Sequence, residues 1–294
     1  MPLTSIPFPS HSVPEVLYHY TRPEAFKAII SDRILWLSDL SKMNDATERL
    51  WISDIFRQVE RKRSDAKLGT REANHYYSDF QLDKTPIFIV CFSEEGGLLS
   101  QWRSYADEGQ GLAIGFRTEK LGFPVMGRFI DEFMEEQQVA IARCVYDRQK
   151  QSEQIEALIA HFDRLFTDLV NERNTYSTYI YDGYLDTARW CLRNMSVISK
   201  NPTYSQEREW RAVYWPPGYG QKEGLASHSI GPEIQRPKEA GAIATHEWHL
   251  VANDLIEEVI LGPKSAFTET DVQELLEGKG FTDFSVRRSE VSYP

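Results

Sequence analysis

One uninterrupted apolar run restricts the fold of this chain more than any other stretch. It reads Ile-Phe-Ile-Val-Cys-Phe over residues 87–92, with Pro86 before it and Ser93 after it. A strand with apolar side chains on both of its sides is stable only where both faces of its sheet are covered. Residues 112–116, Leu-Ala-Ile-Gly-Phe, form a second run of this kind. The sequence therefore predicts a sheet with a buried centre.

Further strand and helix patterns lie around these two runs. Leu17–Thr21 has the bulk and branching of a strand, and Pro23 can begin a helix over 23–31. Residues 218–242 are rich in Gly, Pro and charged residues, which indicates a loop. The other predicted strands are 34–39, about 207–215, 246–251, 256–262 and 284–288, and the other predicted helices are 46–66, 100–106, 152–172, 184–199 and 268–279.

The domain organisation follows from composition along the chain. Residues 1–14 contain four prolines, which predicts an extended arm that packs poorly. The patterns over about 118–200 are mainly helical, and no Pro/Gly-rich linker flanks them. We therefore interpret residues 15–294 as one domain with a helical insertion at about 118–200.

Overall charge and cysteine content narrow the class of protein. The 294 residues carry a net charge of −11, from 44 acidic and 33 basic residues, which opposes non-specific binding to a polyanion such as DNA. Cys91, Cys144 and Cys191 are far apart and have apolar or aromatic neighbours, which indicates reduced, buried thiols. The chain has neither a signal-peptide pattern nor eighteen uninterrupted apolar residues. These features predict a cytoplasmic protein without a membrane span.

Several well-known catalytic and nucleotide-binding motifs are absent. The sequence contains no GxxxxGK[ST], no GxGxxG after a strand, and no GxSxG, HExxH or CxxC pattern. His246 and His249 are the one close pair of histidines, but on a strand their side chains would point to opposite faces. We therefore predict no metal site.

The first strand carries a polar pair that suits a ligand. His19 and Thr21 lie on one face of a strand, with the aromatic Tyr20 between them. The two polar side chains could bind a ligand through hydrogen bonds. They could equally form the solvent-exposed face of an ordinary strand.

Two loops are further candidates for contact with a ligand. Asn44 and Asp45 have the chemistry of a turn and helix cap, but their loop could also lie across a pocket. Ser93 ends the apolar strand, a Gly-containing loop follows, and helix 100–106 leads to the next strand. This unit could hold a ligand between two rigid strands, or it could serve to pack Trp102 into the core.

A late strand carries two glutamates. If it begins by Glu207, then Glu207, Glu209 and Arg211 share one face. Two carboxylates entering an apolar sheet are costly without a partner. Arg208 or Arg211 could be that partner in a purely structural ion pair, or the carboxylates could perform chemistry.

The order of these motifs resembles that of a known family. LYHYT, LWLSD, MNDATE, FIVCFSEE, QWRSYADEGQGLAIGF and EREWRAVY follow one another between Leu17 and Gly262, as in the bacterial family of domain of unknown function 2971 (DUF2971). That family is similar in motif order to the ADP-ribosyltransferase superfamily, whose members bind NAD in the cleft of a split β-sheet. The resemblance implies an α+β fold with a split sheet, helices and a helical insertion.

The resemblance also implies roles for particular residues. His19 corresponds to the histidine that binds the adenosine-side ribose of NAD, Tyr105 to the tyrosine that stacks on nicotinamide, and Glu209 to the catalytic glutamate. Glu207 would orient or deprotonate the acceptor, and Arg103 would bind the diphosphate. The remaining residues expected near NAD are Tyr20, Thr21, Asn44 and Ser93.

These roles predict an NAD-dependent ADP-ribosyltransferase with a protein or nucleic acid as acceptor. A toxin or phage-defence effector would suit this activity, and an antitoxin or other partner protein could restrain it. Three alternatives stay open. They are hydrolysis of NAD by water, a non-catalytic module that senses a nucleotide or recruits a partner, and a nuclease using Glu207, Glu209 and Asp45 around Mg²⁺.

Overall fold

Ten strands pair into one sheet within the part of the chain that the computed structural model describes. The described residues are 12–42, 48–65, 86–123, 139–171, 191–216, 229–238 and 241–293. The strands are β1 (Val16–Thr21), β2 (Ile34–Asp39), β3 (Phe88–Ser93), β4 (Leu112–Arg117), β5 (Val139–Arg143), β6 (Glu209–Tyr214), β7 (Ile230–Lys238), β8 (Gly241–His249), β9 (Ile256–Leu261) and β10 (Ser285–Arg288).

Helices accompany this sheet along the chain. The described α-helices are α1 (Pro23–Asp32), α2 (Glu48–Asp65), α3 (Leu99–Tyr105), α4 (Arg148–Asn171), α5 (191–198) and α6 (Glu269–Gly278). The paired strands are antiparallel, except that β9 and β10 run parallel. A large, mostly antiparallel sheet with several helices confirms the predicted α+β class.

The sheet branches and opens at β3. Its main path follows the order β10, β9, β4, β1, β3, β2, β8 and β7, while β6 pairs with β3 and with β5 off this path. β3 pairs with β6 along its whole length, from Phe88 to Ser93. On its other edge, β3 meets β1 at Ser93, opposite Tyr18, and β2 at Phe88 and Ile89. β1 and β2 therefore diverge from the middle of β3.

The apolar runs found in the sequence form the centre of the core. Val90 and Phe92 lie in one buried cluster with Phe116 of β4. Ile89, on the opposite side of β3, lies in a second cluster with Val213 of β6. Both faces of β3 are therefore covered, as predicted. Helices α1 and α6 contribute apolar side chains to the first cluster, namely Phe26, Ile30, Val272 and Leu276.

The short helix α3 is anchored by one aromatic side chain. Trp102 is fully buried, and its ring meets that of Tyr20 edge to face at a centroid distance of 4.9 Å. The interpretation that this unit packs Trp102 into the core is therefore confirmed. Such an anchor fixes the rotation of α3 about its axis, so it also determines which side chains of the helix face the sheet.

Two strands were missed by the sequence predictions. β5 lies inside the stretch of about 118–200 that was interpreted as a helical insertion, and it pairs with β6. β7 lies inside the predicted loop of 218–242 and pairs with β8. Pro232 and Pro237 interrupt the pattern of β7, and a strand tolerates them because β7 is the last strand of the sheet path, where N–H groups need no ladder partner.

The described residues also bear on three smaller predictions. All three cysteines are reduced thiols, with Cys144 and Cys191 buried and Cys91 half-buried. Of the predicted arm, residues 12–14 are described, and they form neither helix nor strand. Within the described ranges, no helix has both the length and the apolar character needed to cross a membrane.

A close backbone approach beside β1 gives a test of this fold. A Cβ atom on Gly111 would lie 2.1 Å from the backbone oxygen of Thr21. Because that oxygen belongs to a central strand and cannot move cheaply, we expect Gly111→Ala to lower the free energy of unfolding by about 2–4 kcal/mol. Gly278→Ala is the matched control, since a Cβ there meets nothing within 4 Å. Denaturant unfolding should leave this control unchanged or slightly stabilised, and equal stabilities of the two variants would contradict the packing described.

Candidate ligand-binding site

A cavity of about 810 Å³ lies where β1 and β2 diverge from β3. Its walls come from these strands, from α1 and α3, from the stretch 200–211, and from β7 and β8. Predicted site residues from the first, middle and late motifs line it together, namely His19, Tyr20, Thr21, Tyr105, Glu207 and Glu209. The fold thus brings three distant parts of the sequence to one cavity.

His19 joins β1 to β3 across the opening. Its Nδ1 lies 2.9 Å from the backbone oxygen of Cys91. Because a carbonyl oxygen only accepts hydrogen bonds, Nδ1 carries a proton and Nε2 is left as an acceptor in the neutral ring. Burial lowers the pKa of His19, so the imidazole is neutral at physiological pH. Its Nε2 can therefore accept a hydrogen bond from a hydroxyl group of a ligand.

Two predicted site residues hold the backbone around the cavity. The hydroxyl of Tyr20 donates to the backbone oxygen of Glu95 at 2.7 Å and accepts from the backbone nitrogen of Leu98 at 2.9 Å. Ser93 is buried, and its Oγ donates to the backbone oxygen of Glu207 at 2.8 Å. Tyr20 lines the cavity, whereas Ser93 is not among its lining residues. Ser93 therefore positions the backbone of Glu207 instead of meeting a ligand.

The two glutamates reach the cavity from different kinds of backbone. Pro202–Glu207 forms a 3₁₀ helix, Arg208 adopts a left-handed conformation (φ 45°, ψ 47°), and β6 begins only at Glu209. The premise that the strand begins by Glu207 is therefore wrong, and the two side chains do not share a strand face. Arg208 itself forms an exposed ion pair with Glu95.

Both carboxylates bind the same cation. The Nζ of Lys200 lies 2.5 Å from an oxygen of Glu207 and 2.5 Å from an oxygen of Glu209. Arg211 donates from Nε to the other oxygen of Glu209 at 2.8 Å, so Arg211 is one of the structural partners considered from the sequence. We call Lys200, Glu207, Glu209 and Arg211 the charged cluster. All four side chains line the cavity, and their formal charges cancel.

The cations keep Glu209 ionised in spite of its burial. Burial by itself raises the pKa of this carboxyl group, but Arg211 and Lys200 outweigh burial and lower the pKa to about 2. Burial likewise opposes the charge of Lys200, yet Glu209 raises the pKa of the Lys200 amine above its ordinary value. Burial and the charge of Glu209 raise the pKa of the neighbouring Cys91 thiol. Glu209 is thus an anion at physiological pH, and Cys91 is a neutral thiol.

Aromatic rings border the charged cluster. Tyr105 is 42% exposed, and its hydroxyl donates to Glu207 at 3.2 Å. Tyr204 also lines the cavity, with its ring centroid 5.3 Å from the Nζ of Lys200. The hydroxyl of Tyr105 is therefore tied to the charged cluster while much of its ring stays accessible to a planar group.

Arg103, like Ser93, is a predicted site residue that does not line the cavity. Gln101 and Tyr105 line it from α3, but Arg103 lies between them in sequence and therefore on the opposite side of the helix. Arg103 is exposed, and its charge acts on Tyr293 near the end of the chain. Arg103 is therefore not among the residues that line the cavity, and its contact with a diphosphate stays a prediction. Asn44 lies outside the described residues.

Sequence reasoning missed several residues that line the cavity. Lys200 was overlooked, although a lysine directly after the buried Val-Ile-Ser of residues 197–199 could have indicated an internal partner for the glutamates. Its backbone nitrogen donates to Val145, and its backbone oxygen accepts from Gln151, so the chain is fixed at this point. Other overlooked lining residues are Trp36 and Cys91, which lie in the quoted LWLSD and FIVCFSEE motifs, and Tyr204, Arg236 and Glu247, which no quoted motif contains.

The donor groups in the cavity suit an organic ligand better than a divalent ion. In the charged cluster, an ammonium group already lies 2.5 Å from both carboxylates. On β8, His246 is buried and His249 is exposed, in line with the prediction that they point to opposite faces. Among the described residues, no group of three or more His, Cys, Asp or Glu side chains could hold a metal ion.

The fold and the cavity define an α+β protein with a charged and aromatic site inside a branched sheet. The sequence model of the family described as protein of unknown function (DUF2971) matches residues 101–212. This match supports the resemblance to that family over residues 101–212, which contain Tyr105 and both glutamates of the charged cluster. No curated protein and no solved structure shows a significant match to the chain.

The charged cluster makes the stability of the fold sensitive to acid. The pKa of Glu209 is about 2 in the folded chain against an ordinary value of 4.5. A lowered pKa stabilises the fold fully above the ordinary value, and this contribution is lost as the pH falls toward 2. The loss is on the order of 3 kcal/mol. Glu209→Gln has no carboxyl group to titrate at this position. The difference in unfolding free energy between wild type and Glu209→Gln should therefore shrink as the pH falls from about 5 toward 2.

Denaturant unfolding at a series of pH values measures this deficit. Glu274→Gln is the control, because Glu274 is an exposed carboxylate on α6. We expect its unfolding free energy to follow that of wild type at every pH. A constant difference between wild type and Glu209→Gln across the acid range would show that Glu209 is not held ionised by its neighbours.

Proposed function

We propose that the chain binds NAD in this cavity and transfers its ADP-ribose group to an acceptor, in the manner of ADP-ribosyltransferases with a split sheet. One observation carries the proposal. His19, Tyr105 and Glu209, the residues that the resemblance assigns to NAD, line one cavity although they come from β1, α3 and β6. The divergence of β1 from β3 beside this cavity supports the comparison with a split sheet.

The charge of Glu209 suits the proposed reaction. The bond between C1′ of the nicotinamide ribose and the ring nitrogen breaks, and nicotinamide leaves with the electron pair. Positive charge develops on the ribose, so an ionised carboxylate stabilises the transition state more than the ground state. The acceptor atom then forms a bond to C1′ and loses its proton, for which Glu207 is the proposed base.

The other side chains would position the substrate. The accessible ring of Tyr105 would stack on nicotinamide, and Nε2 of His19 would accept a hydrogen bond from a ribose hydroxyl. The charged cluster holds three buried charges and the partly buried Glu207. Such a cluster is a weak source of stability, because apolar side chains of similar volume are often as stabilising. The placement of the charged cluster along a cavity therefore favours a role toward a ligand.

A second candidate function is a module that binds a nucleotide without cleaving it. The observation that favours it is that both oxygens of Glu209 already accept hydrogen bonds from Lys200 and Arg211. A carboxylate engaged in this way can serve as a fixed wall of the site. Hydrolysis of NAD differs from the leading proposal only in its acceptor, which is water. The acceptor, a role as toxin or phage-defence effector, and a restraining partner protein stay predictions.

Labelled NAD tests the leading proposal. Purified chain is incubated with NAD labelled in the ADP-ribose part and with a cell extract, and label on protein and on nucleic acid is measured together with free nicotinamide. We expect Glu209→Gln to lower kcat by about 100-fold or more with little change in KM, because it removes charge stabilisation from the transition state. Tyr105→Ala should mainly raise KM, and Glu274→Gln serves as the exposed-carboxylate control.

The products separate the three candidates. Label on a macromolecule identifies a transferase, whereas nicotinamide and free ADP-ribose without an acceptor identify a hydrolase. Binding of NAD without release of nicotinamide would select the sensing module. Equal turnover by wild type and Glu209→Gln would remove Glu209 from the mechanism.

A further inference from the structure

A stacked arginine and tryptophan line the cavity apart from the charged cluster. Trp36 on β2 is 41% exposed, and the guanidinium carbon of Arg236 lies 3.1 Å from the centroid of its ring. Both residues line the cavity. Stacking on an indole holds a guanidinium group flat, while its N–H donors point outward in the plane of the group. The pair therefore presents a fixed set of donors to the cavity.

Arg236 differs from the other cations that line the cavity. Lys200 and Arg211 are bound to carboxylates of the charged cluster. For Arg236, the contact found within the described ranges is the ring of Trp36. Glu247 lines the same cavity, and its carboxylate lies 3.9 Å from Nε2 of His249. Burial lowers the pKa of Arg236, as is typical of a cation that has lost water and has gained no carboxylate in return.

We propose that Arg236, held flat by Trp36, binds a phosphate group of a nucleotide in this cavity. A guanidinium group matches phosphate because two parallel N–H donors can meet two oxygens of one anion. The proposal rests on the proposed function only in naming NAD as the nucleotide. In that case Arg236 takes the diphosphate contact that sequence reasoning assigned to Arg103.

The rest of this region indicates a nucleotide instead of a simple anion. Asp32 and Glu247 line the cavity too, and their carboxylates accept hydrogen bonds from ribose hydroxyls or base amino groups while they repel further phosphates. Trp36 on β2 and Glu209 on β6 both line the cavity, and their strands flank β3 on opposite edges. A ligand that joins a phosphate to sugar and base groups can contact both strands.

Calorimetric titration of the full chain with ADP and with adenosine tests this assignment. The two probes differ only in the phosphates, so the ratio of their affinities reports the phosphate contact. We expect wild type to bind ADP at least about tenfold more tightly than adenosine. Arg236→Gln should lower the ADP affinity by about 10- to 100-fold, the range of one charge-assisted contact, and leave the adenosine affinity within about twofold. Arg236→Lys should be intermediate, because it keeps the charge and loses the fork.

A matched surface variant controls for the change in net charge, and thermal unfolding checks that each variant is folded. Arg57→Gln changes the net charge equally on an exposed side chain of α2, and it should bind ADP like wild type. Equal losses for ADP and adenosine in Arg236→Gln, an unchanged ADP affinity, or no ADP binding by folded wild type would each overturn the proposal. ADP binding that depends on Arg236 would support the phosphate contact even if the chain does not cleave NAD. If Arg236→Gln cleaves NAD with an unchanged KM, the phosphate contact is refuted while the proposed function stands.

Discussion

The opening between β1 and β3 is the feature on which the site depends. Along the edge of β3 that faces β1 and β2, the described ladder partners lie at Ser93 and at Phe88 and Ile89. A buried carbonyl group needs a hydrogen-bond donor, and His19 supplies one to Cys91 from its side chain. The imidazole thus takes the place of a strand partner. The carbonyl group of Cys91 therefore keeps a hydrogen-bond donor at the point where the two strands separate.

Local patterns account for the elements that the sequence predicted well. β3 and β4 are continuous apolar runs, and α4 has an apolar stripe, so each can be identified from a few neighbouring residues. The missed strands depend on distant pairing. β7 carries two prolines and is stabilised by its long ladder with β8, and β5 is a five-residue strand that pairs with β6. No local pattern contains such information, because it resides in the partner strand.

The order of the sequence motifs identified part of the candidate site. His19, Tyr105 and Glu209 were assigned from that order, and the fold gathers them at one cavity. Arg103 does not line the cavity because of the rotation of α3, which the burial of Trp102 fixes in three dimensions. Lys200 was missed because its role depends on how the 3₁₀ helix and the left-handed residue after it return the chain toward Lys200. Arg236 was missed together with its strand.

Charges inside the cavity, more than the net charge of the chain, decide which ligands it can hold. The chain carries −11, but the Debye length is about 8 Å at physiological ionic strength, so remote surface charges act weakly within the cavity. The charged cluster is neutral as a unit. The carboxylates of Glu24, Asp32 and Glu247 also line the cavity and repel anions, but the donors of Arg236 offer an anion a direct contact there. A small phosphate-bearing molecule gains this contact without meeting the acidic surface outside, whereas a long polyanion meets both. Under the proposed function the nucleotide is the enclosed molecule, and a nucleic-acid acceptor would have to present a single base or end to the cavity.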